Sequence, residues 1–145
     1  MPAVESRVLS DEGGSIFCEV VGTGRPVVFS HDAMLHGQTW DAQFAGLRAA
    51  GRLIRWDRRG YGRSDVPTAS YSSAADLARV IASVAEPPAV LIGCSYGSLL
   101  SLHCALEHPE LVSGLILVGP IVSGLGFTEH FTTRGGRYRG EETDL

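Results

Sequence analysis

Apolar and polar positions along the chain follow two periods in turn. Short apolar runs, Pro26-Val27-Val28-Phe29-Ser30, Leu53-Ile54-Arg55-Trp56, residues 89–92 and residues 115–118, predict buried strands. Between them apolar residues recur at helical spacing. Trp40, Phe44 and Leu47 share one face of a helix predicted over residues 39–50, with Gly51 as its C-terminal stop. Leu77, Val80, Ile81 and Val84 mark a second helix over residues 73–84, capped by Ser72 or Ser73. Residues 98–106 read as a third. Near the N-terminus, residues 7–10 and 16–21 flank Asp11-Glu12-Gly13-Gly14, which predicts a hairpin. Strands alternating with helices imply an α/β fold with a mostly parallel sheet joined by right-handed crossovers. The runs at 89–92 and 115–118 are apolar throughout, as in central strands covered on both faces.

From Ile121 onward the periodicity dissolves. Gly124, Gly126, Gly135, Gly136 and Gly140 are scattered among charges and aromatics, so residues 121–145 read as a loop or an incomplete element. The expected organisation is one core over residues 1–120, followed by this segment.

Composition narrows the function classes. With 44% hydrophobic and 19% charged residues the chain is globular, and 145 residues allow a real core. The net charge of -4 and the lack of a basic stripe argue against a nucleic-acid partner. The apolar runs are too short for a bilayer, so no membrane partner is expected. The first residues have neither a basic nor an apolar leader region, so no signal peptide is expected. Cys18, Cys94 and Cys104 are odd in number and lack CxxC spacing, which fits reduced thiols in the cytoplasm. No zinc spacing occurs, and no metal or cofactor is expected.

The chemistry concentrates in Gly93-Cys94-Ser95-Tyr96-Gly97, a G-x-S-x-G sequence. An apolar strand precedes it and a helix follows, which is the context a nucleophile elbow requires. Glycines on either side give room for a strained serine backbone. The turn lifts the Ser95 hydroxyl to the top of the sheet and aims the Tyr96 N–H at a developing oxyanion.

Three further blocks join this one. Phe29-Ser30-His31-Asp32-Ala33, with Trp40 nine positions after His31, resembles the H-G-x…W stretch of α/β-hydrolases. Asp57-Arg58-Arg59-Gly60-Tyr61-Gly62-Arg63-Ser64 is similar to that family's D-x-R-G-x-G-x-S turn, and the run from His108 to Val118 is similar to its HPE-x-V-x-x-L-x-L run. The resemblance covers about residues 5–120. It implies the α/β-hydrolase sheet, truncated after the strand that follows the nucleophile helix. It implies Ser95 as nucleophile and the backbone N–H groups of Ala33 and Tyr96 as oxyanion hole. The reaction implied is hydrolysis of a small-molecule ester, thioester, lactone or amide through an acyl-enzyme. A serine here argues against the haloalkane dehalogenases and epoxide hydrolases of the fold, which use a carboxylate. Asp32 stands where the family more often has glycine, and its side chain is expected to turn away from the hole as a turn former.

In the resembling family an acid and then a histidine follow the serine on later strands. After Ser95 the histidines are His103, His108 and His130, and none pairs with an acid at the end of a later strand. The chain is therefore expected to correspond to the N-terminal half of such an enzyme, with residues 121–145 as the start of a cap. Little activity is expected of it alone, and the strand at 115–118 is expected to expose an open edge suited to self-association or to a complementing C-terminal half. The alternative is a non-catalytic fragment or pseudoenzyme that binds a partner chain or small molecule.

The remaining polar residues have simpler expectations. His31 is expected to hold structure by hydrogen bonding. Cys94 is expected to act as a small hydrophobe. Asp57, Arg59 and Asp65 are expected to make local salt bridges and caps. His130, beside Glu129, is the one base candidate beyond the last strand. Met34 and Leu35 either line an acyl pocket or pack beneath the cap.

Overall fold

The computed structural model describes residues 3–123. Strands β1 (Glu5–Asp11), β2 (Gly14–Val21), β3 (Pro26–Ser30), β4 (Arg52–Trp56), β5 (Ala89–Cys94) and β6 (Val112–Val118) form one sheet in the order β1-β2-β4-β3-β5-β6. The expected hairpin is β1–β2. β2 also runs antiparallel to β4, and the pairs β3–β4, β3–β5 and β5–β6 are parallel. Helices α1 (Asp41–Leu47), α2 (Ser73–Val80) and α3 (Tyr96–Glu107) connect the parallel strands.

Side-chain alternation along the central strands divides the core in two. Val28 and its cross-strand partner Ile54 point into a cluster with Leu77, Ile81, Leu99 and Leu100 from the α2 and α3 side. Phe29 and Leu53, one position away in each strand, point to the opposite face and meet Trp40 and Phe44. The Phe29 ring lies 5.3 Å from that of Trp40 and 6.5 Å from that of Phe44. A sheet with helices on both faces results.

The chain leaves β3 through α1 to reach β4 on one side, then returns through α2 to β5 on the other. The carboxyl ends of β3 and β5 thus flank a topological switch point, where open α/β sheets hold their ligands.

Several boundaries differ from the sequence expectation. The first helix begins as a 3-10 turn over Gly37–Trp40, and its α-helical part ends at Leu47, which is exposed. Gly51 is not a left-handed cap. A Cβ there would stand 2.6 Å from the Arg25 carbonyl oxygen, so close packing explains it. Ser72 is the cap of α2, accepting from Ala75 N at 3.1 Å. The second helix passes at Ile81 into a π-helical turn over Ile81–Ala85, whose Ile81 and Val84 keep facing the core.

Among the described residues β6 has the open edge expected of it, while the reading of its apolar run as covered on both faces does not hold. It pairs with β5 alone among the described residues, and Leu115, Ile116 and Val118 are 36%, 51% and 49% exposed. An apolar run cannot by itself distinguish a covered strand from an edge strand. Among the described residues no helix is long and apolar enough to cross a membrane. Most of the expected cap segment, residues 124–145, lies outside the described residues.

Candidate active site

Ser95 is the hinge between β5 and α3. Its φ of 51° and ψ of -112° belong to neither element. For a residue with a Cβ such a backbone costs roughly 1–3 kcal/mol, so the surrounding structure must impose it. The constraint comes from close approach on both sides. A Cβ on Gly93 would stand 2.3 Å from the Gly97 carbonyl oxygen, and one on Gly97 would stand 2.2 Å from that of Ser30. The first turn of α3 is therefore pressed against its own strand and against the end of β3.

β6 completes the clamp. Ser95 N donates to Val118 O at 2.9 Å, and Ser98 Oγ lies 2.8 Å from Gly93 O and 3.2 Å from Val118 O. Ser98 was not singled out by the sequence, although a buried serine in the first turn of a helix has few roles other than bonding backbone. Ser95 itself is half-buried, and Tyr96 N–H sits at the positive end of the α3 dipole.

The loop after β3 carries the second expected donor. Ala33 is half-buried and packs against the larger core cluster. Asp32 Oδ1 accepts from the backbone N of Met34 at 2.7 Å and of Leu35 at 2.9 Å. The carboxylate is thus spent on its own turn, as expected of an Asx-type turn former. Met34 and Leu35 are both exposed.

His31 is fully buried and holds both ring nitrogens in hydrogen bonds. Nε2 lies 3.0 Å from Arg58 N, which can only donate, so Nε2 accepts and Nδ1 carries the proton toward Asp32 O at 2.8 Å. Burial, reinforced by the Arg58 charge, pushes the imidazole pKa down to about 4. His31 is a neutral structural group with no lone pair left for a general base.

Arg58 went unremarked in the sequence because it occupies a variable position of the turn motif. Its Nη2 donates to Asp32 O at 3.0 Å, and its guanidinium lies 4.4 Å from the Tyr61 ring and 4.5 Å from the Tyr96 ring.

The charged turn makes ion pairs and accepts backbone N–H bonds as expected, but mostly with partners far along the chain and not local ones. Asp57, buried, accepts from Gly37 N at 2.6 Å and from Arg63 N at 2.9 Å. Asp65 Oδ2 accepts from Ser15 N at 2.9 Å. Arg59 makes paired bonds to Asp76, at 2.8 and 3.0 Å, and to Asp11, at 3.1 and 2.6 Å. The Asp76 bond first, and then Asp11, hold its guanidinium charged against the cost of burial.

The cysteines are free. Burial raises the Cys18 and Cys104 thiols to about 12 and about 11. Burial, followed by the Asp32 charge, also raises that of Cys94, which packs against the Phe29 cluster. None is an activated thiolate.

The later histidines lie elsewhere. His103 Nε2 is 2.7 Å from Ser123 Oγ, and His108 Nδ1 is 3.6 Å from Glu110. Among the described residues no histidine ring bonds to the Ser95 hydroxyl. Glu129 and His130 lie outside the described residues. No group of three or more histidine, cysteine or acidic side chains is gathered as a metal site among the described residues.

The fold agrees with comparison to known proteins. Residues 27–143 match the model of the alpha/beta hydrolase family. The chain belongs to that family. It is 39% identical over 105 residues to a pimeloyl-acyl-carrier-protein methyl ester esterase of Edwardsiella ictaluri, covering 72% of this chain and 40% of that protein. It is 35% identical over 121 residues to a non-heme chloroperoxidase of Streptomyces lividans, covering 79% and 44%. The solved structure of Est816, described as an N-acyl homoserine lactone degrading enzyme, superimposes with a TM-score of 0.74 at 30% identity, over 79% of this chain and 45% of that one. This alpha/beta hydrolase chain spans about 40% of the length of the curated relatives it matches.

Proposed function

We propose that this alpha/beta hydrolase chain carries the nucleophile-bearing part of a serine hydrolase acting on a small ester, thioester, lactone or amide. The observation that carries this reading is the backbone of Ser95, held at φ 51° between the central strand β5 and the N-terminus of α3. The esterase and the lactone-degrading relative supply the substrate class.

In this scheme Ser95 Oγ attacks the carbonyl carbon as its proton passes to a base. The N–H groups of Ala33 and Tyr96 hold the oxyanion. The leaving alcohol, thiol or amine takes the proton, and water then releases the acid from the acyl-serine. Among residues 3–123 no histidine bonds to Ser95, so the base comes from outside the described residues. His130 is one candidate, and a complementing C-terminal segment is the other. The edge of β6 away from β5 is where such a segment adds its strand, while on the β5 side Val118 O already accepts from Ser95 N. The free, unactivated thiols fit a reducing cytoplasm.

A fluorophosphonate probe tests the assignment. Mass-mapped labelling of Ser95, lost in Ser95→Ala, supports it. Without the base, labelling is expected to be slow, the oxyanion hole supplying what reactivity remains. A folded protein that leaves Ser95 unlabelled after prolonged exposure to excess probe overturns the assignment. Turnover of a p-nitrophenyl ester is expected to be slow, and robust turnover lost in Ser95→Ala would place the base within this chain.

A further inference from the structure

We infer that Arg58 and His31 are positioning residues that lock the Asp32–Ala33 peptide, so that the Ala33 N–H faces away from them in the orientation the oxyanion hole uses. The inference rests on the serine-hydrolase reading for the purpose of that N–H, though not for the lock itself.

The Asp32 carbonyl and the Ala33 N–H belong to one peptide group, which is trans, the described cis bond being Pro87–Pro88. In a planar trans peptide C=O and N–H point in opposite directions. Fixing the carbonyl therefore fixes the amide. Two donors fix it: His31 Nδ1 at 2.8 Å and Arg58 Nη2 at 3.0 Å. One of them is charged, which strengthens its bond. A flip of this peptide would aim N–H at two donors and leave both without an acceptor, in a place where His31 and Arg58 are 0% and 2% exposed.

The donors are themselves held. His31 Nε2 accepts from Arg58 N at 3.0 Å, so the ring spans the ends of β3 and β4 and cannot turn over without losing both bonds. The Arg58 guanidinium lies between the rings of Tyr61 and Tyr96, at 4.4 and 4.5 Å. Tyr96 directly follows the nucleophile, so a single side chain links the loop after β3 to the start of α3. Asp32 Oδ1 secures the other side of the peptide by accepting from Met34 N and Leu35 N. The loop is thereby set before any substrate arrives, and a preset donor spends no energy on reorientation during the reaction.

The test is spectroscopic, with a chemical readout beside it. The chain contains two Asp-Ala pairs, Asp32–Ala33 and Asp41–Ala42. Protein labelled with carbonyl-13C aspartate and 15N-alanine therefore gives two carbonyl–amide correlations, one at the lock and one as an internal control. Arg58→Met keeps an apolar stem between the tyrosines but removes the donor. The Asp32–Ala33 correlation is expected to shift or broaden by exchange while Asp41–Ala42 stays in place, and fluorophosphonate labelling of Ser95 should slow about ten- to a hundredfold, somewhat less than the loss of an oxyanion donor outright. Arg58→Lys, which restores one donor, should recover much of both. An unmoved Asp32–Ala33 correlation in folded Arg58→Met overturns the inference. If the correlation moves while wild-type Ser95 never labels, the lock stands and the serine-hydrolase reading fails. Should Arg58→Met not fold, the wild-type imidazole 15N spectrum near neutral pH decides. The Nδ1–H tautomer is expected, and an Nε2–H tautomer overturns the lock.

Discussion

The Ser30 carbonyl oxygen lies 2.2 Å from the point where a Cβ on Gly97 would stand, and the His31 carbonyl oxygen lies 2.7 Å from it. Both obstacles are backbone of a central strand end, so no rotamer change relieves them. Gly97→Ala must push α3 away from β3 and carry Ser95 with it. A loss of about 2–3 kcal/mol or more is expected in urea denaturation, at the upper end of overpacking costs. Phosphonate labelling of Ser95 should fall further than the stability loss alone explains. A variant of wild-type stability and reactivity would show that the elbow is not clamped.

The strain at Ser95 has the opposite consequence. Glycine tolerates φ 51° and ψ -112°, whereas alanine does not. Ser95→Gly relieves roughly 1–3 kcal/mol and gives back somewhat under 1 kcal/mol through a more flexible unfolded chain. Ser95→Gly should therefore melt above wild type by about 1 kcal/mol, and Ser95→Ala close to it. Equal melting of the two variants would mean that the elbow stores no strain.

Much of this site was legible beforehand, because glycine spacing and the strand–turn–helix pattern are local. Ser95, the hairpin and the turn-forming role of Asp32 follow from residues a few positions apart. Arg58 was not legible. Its partners, Asp32, Tyr61 and Tyr96, lie on three separate segments, and the family-like turn gives its position no distinguishing letter. For β6 the open edge follows from the later strands that the resembling family has after it, whereas its own letters do not record exposure. Leu115 to Val118 is as apolar as β5, and exposure depends on what stands beside a strand. Gly51 was given a cap role because glycines after helices usually have one, while its actual constraint is the Arg25 carbonyl, distant in sequence.

His31 makes stability depend on pH. Its pKa is about 4 in the folded protein against an ordinary value of 6.5, set by burial and Arg58, with Asp32 and Asp57 opposing. The Tyr61 ring also packs on it, at 5.5 Å. Between these values the unfolded chain binds a proton that the native one refuses. The contribution is therefore intact above pH 6.5 and disappears as pH falls toward 4, amounting to about 3 kcal/mol at most. The measurement is urea stability of wild type and His31→Gln across that window. The gap between them should narrow as pH falls. A constant gap would mean that His31 is protonated in the native state.

Arg59 is 4% exposed and Asp76 7%, whereas Asp11 is 39% exposed at its side chain. Removing the guanidinium strands a buried carboxylate. Arg59→Met is expected to cost about 3–5 kcal/mol. Arg59→Lys should recover little, since one ammonium cannot serve two carboxylates with paired bonds. Asp11→Asn should cost under about 1 kcal/mol, because that partner is solvated. Equal losses for Arg59→Lys and Asp11→Asn in thermal or urea denaturation would refute the ranking.

The edge of β6 predicts weak association, and the magnitudes explain why. Leu115, Ile116 and Val118 are each already about half buried. Covering them recovers roughly half of the ~1.5–3 kcal/mol that full burial of such a side chain yields, or about 3 kcal/mol together. Joining two chains costs an estimated 4–15 kcal/mol in lost freedom. Side-chain contact alone therefore cannot hold a partner, and new strand hydrogen bonds along the edge must supply the remainder. Light scattering across a concentration series should show the purified chain self-associating only at high concentration. Ile116→Lys, which sets a charge on the edge, should abolish association without lowering the melting temperature by more than a few degrees. A monomer at every concentration, unchanged by Ile116→Lys, would mean that residues beyond Ser123 already occupy the edge.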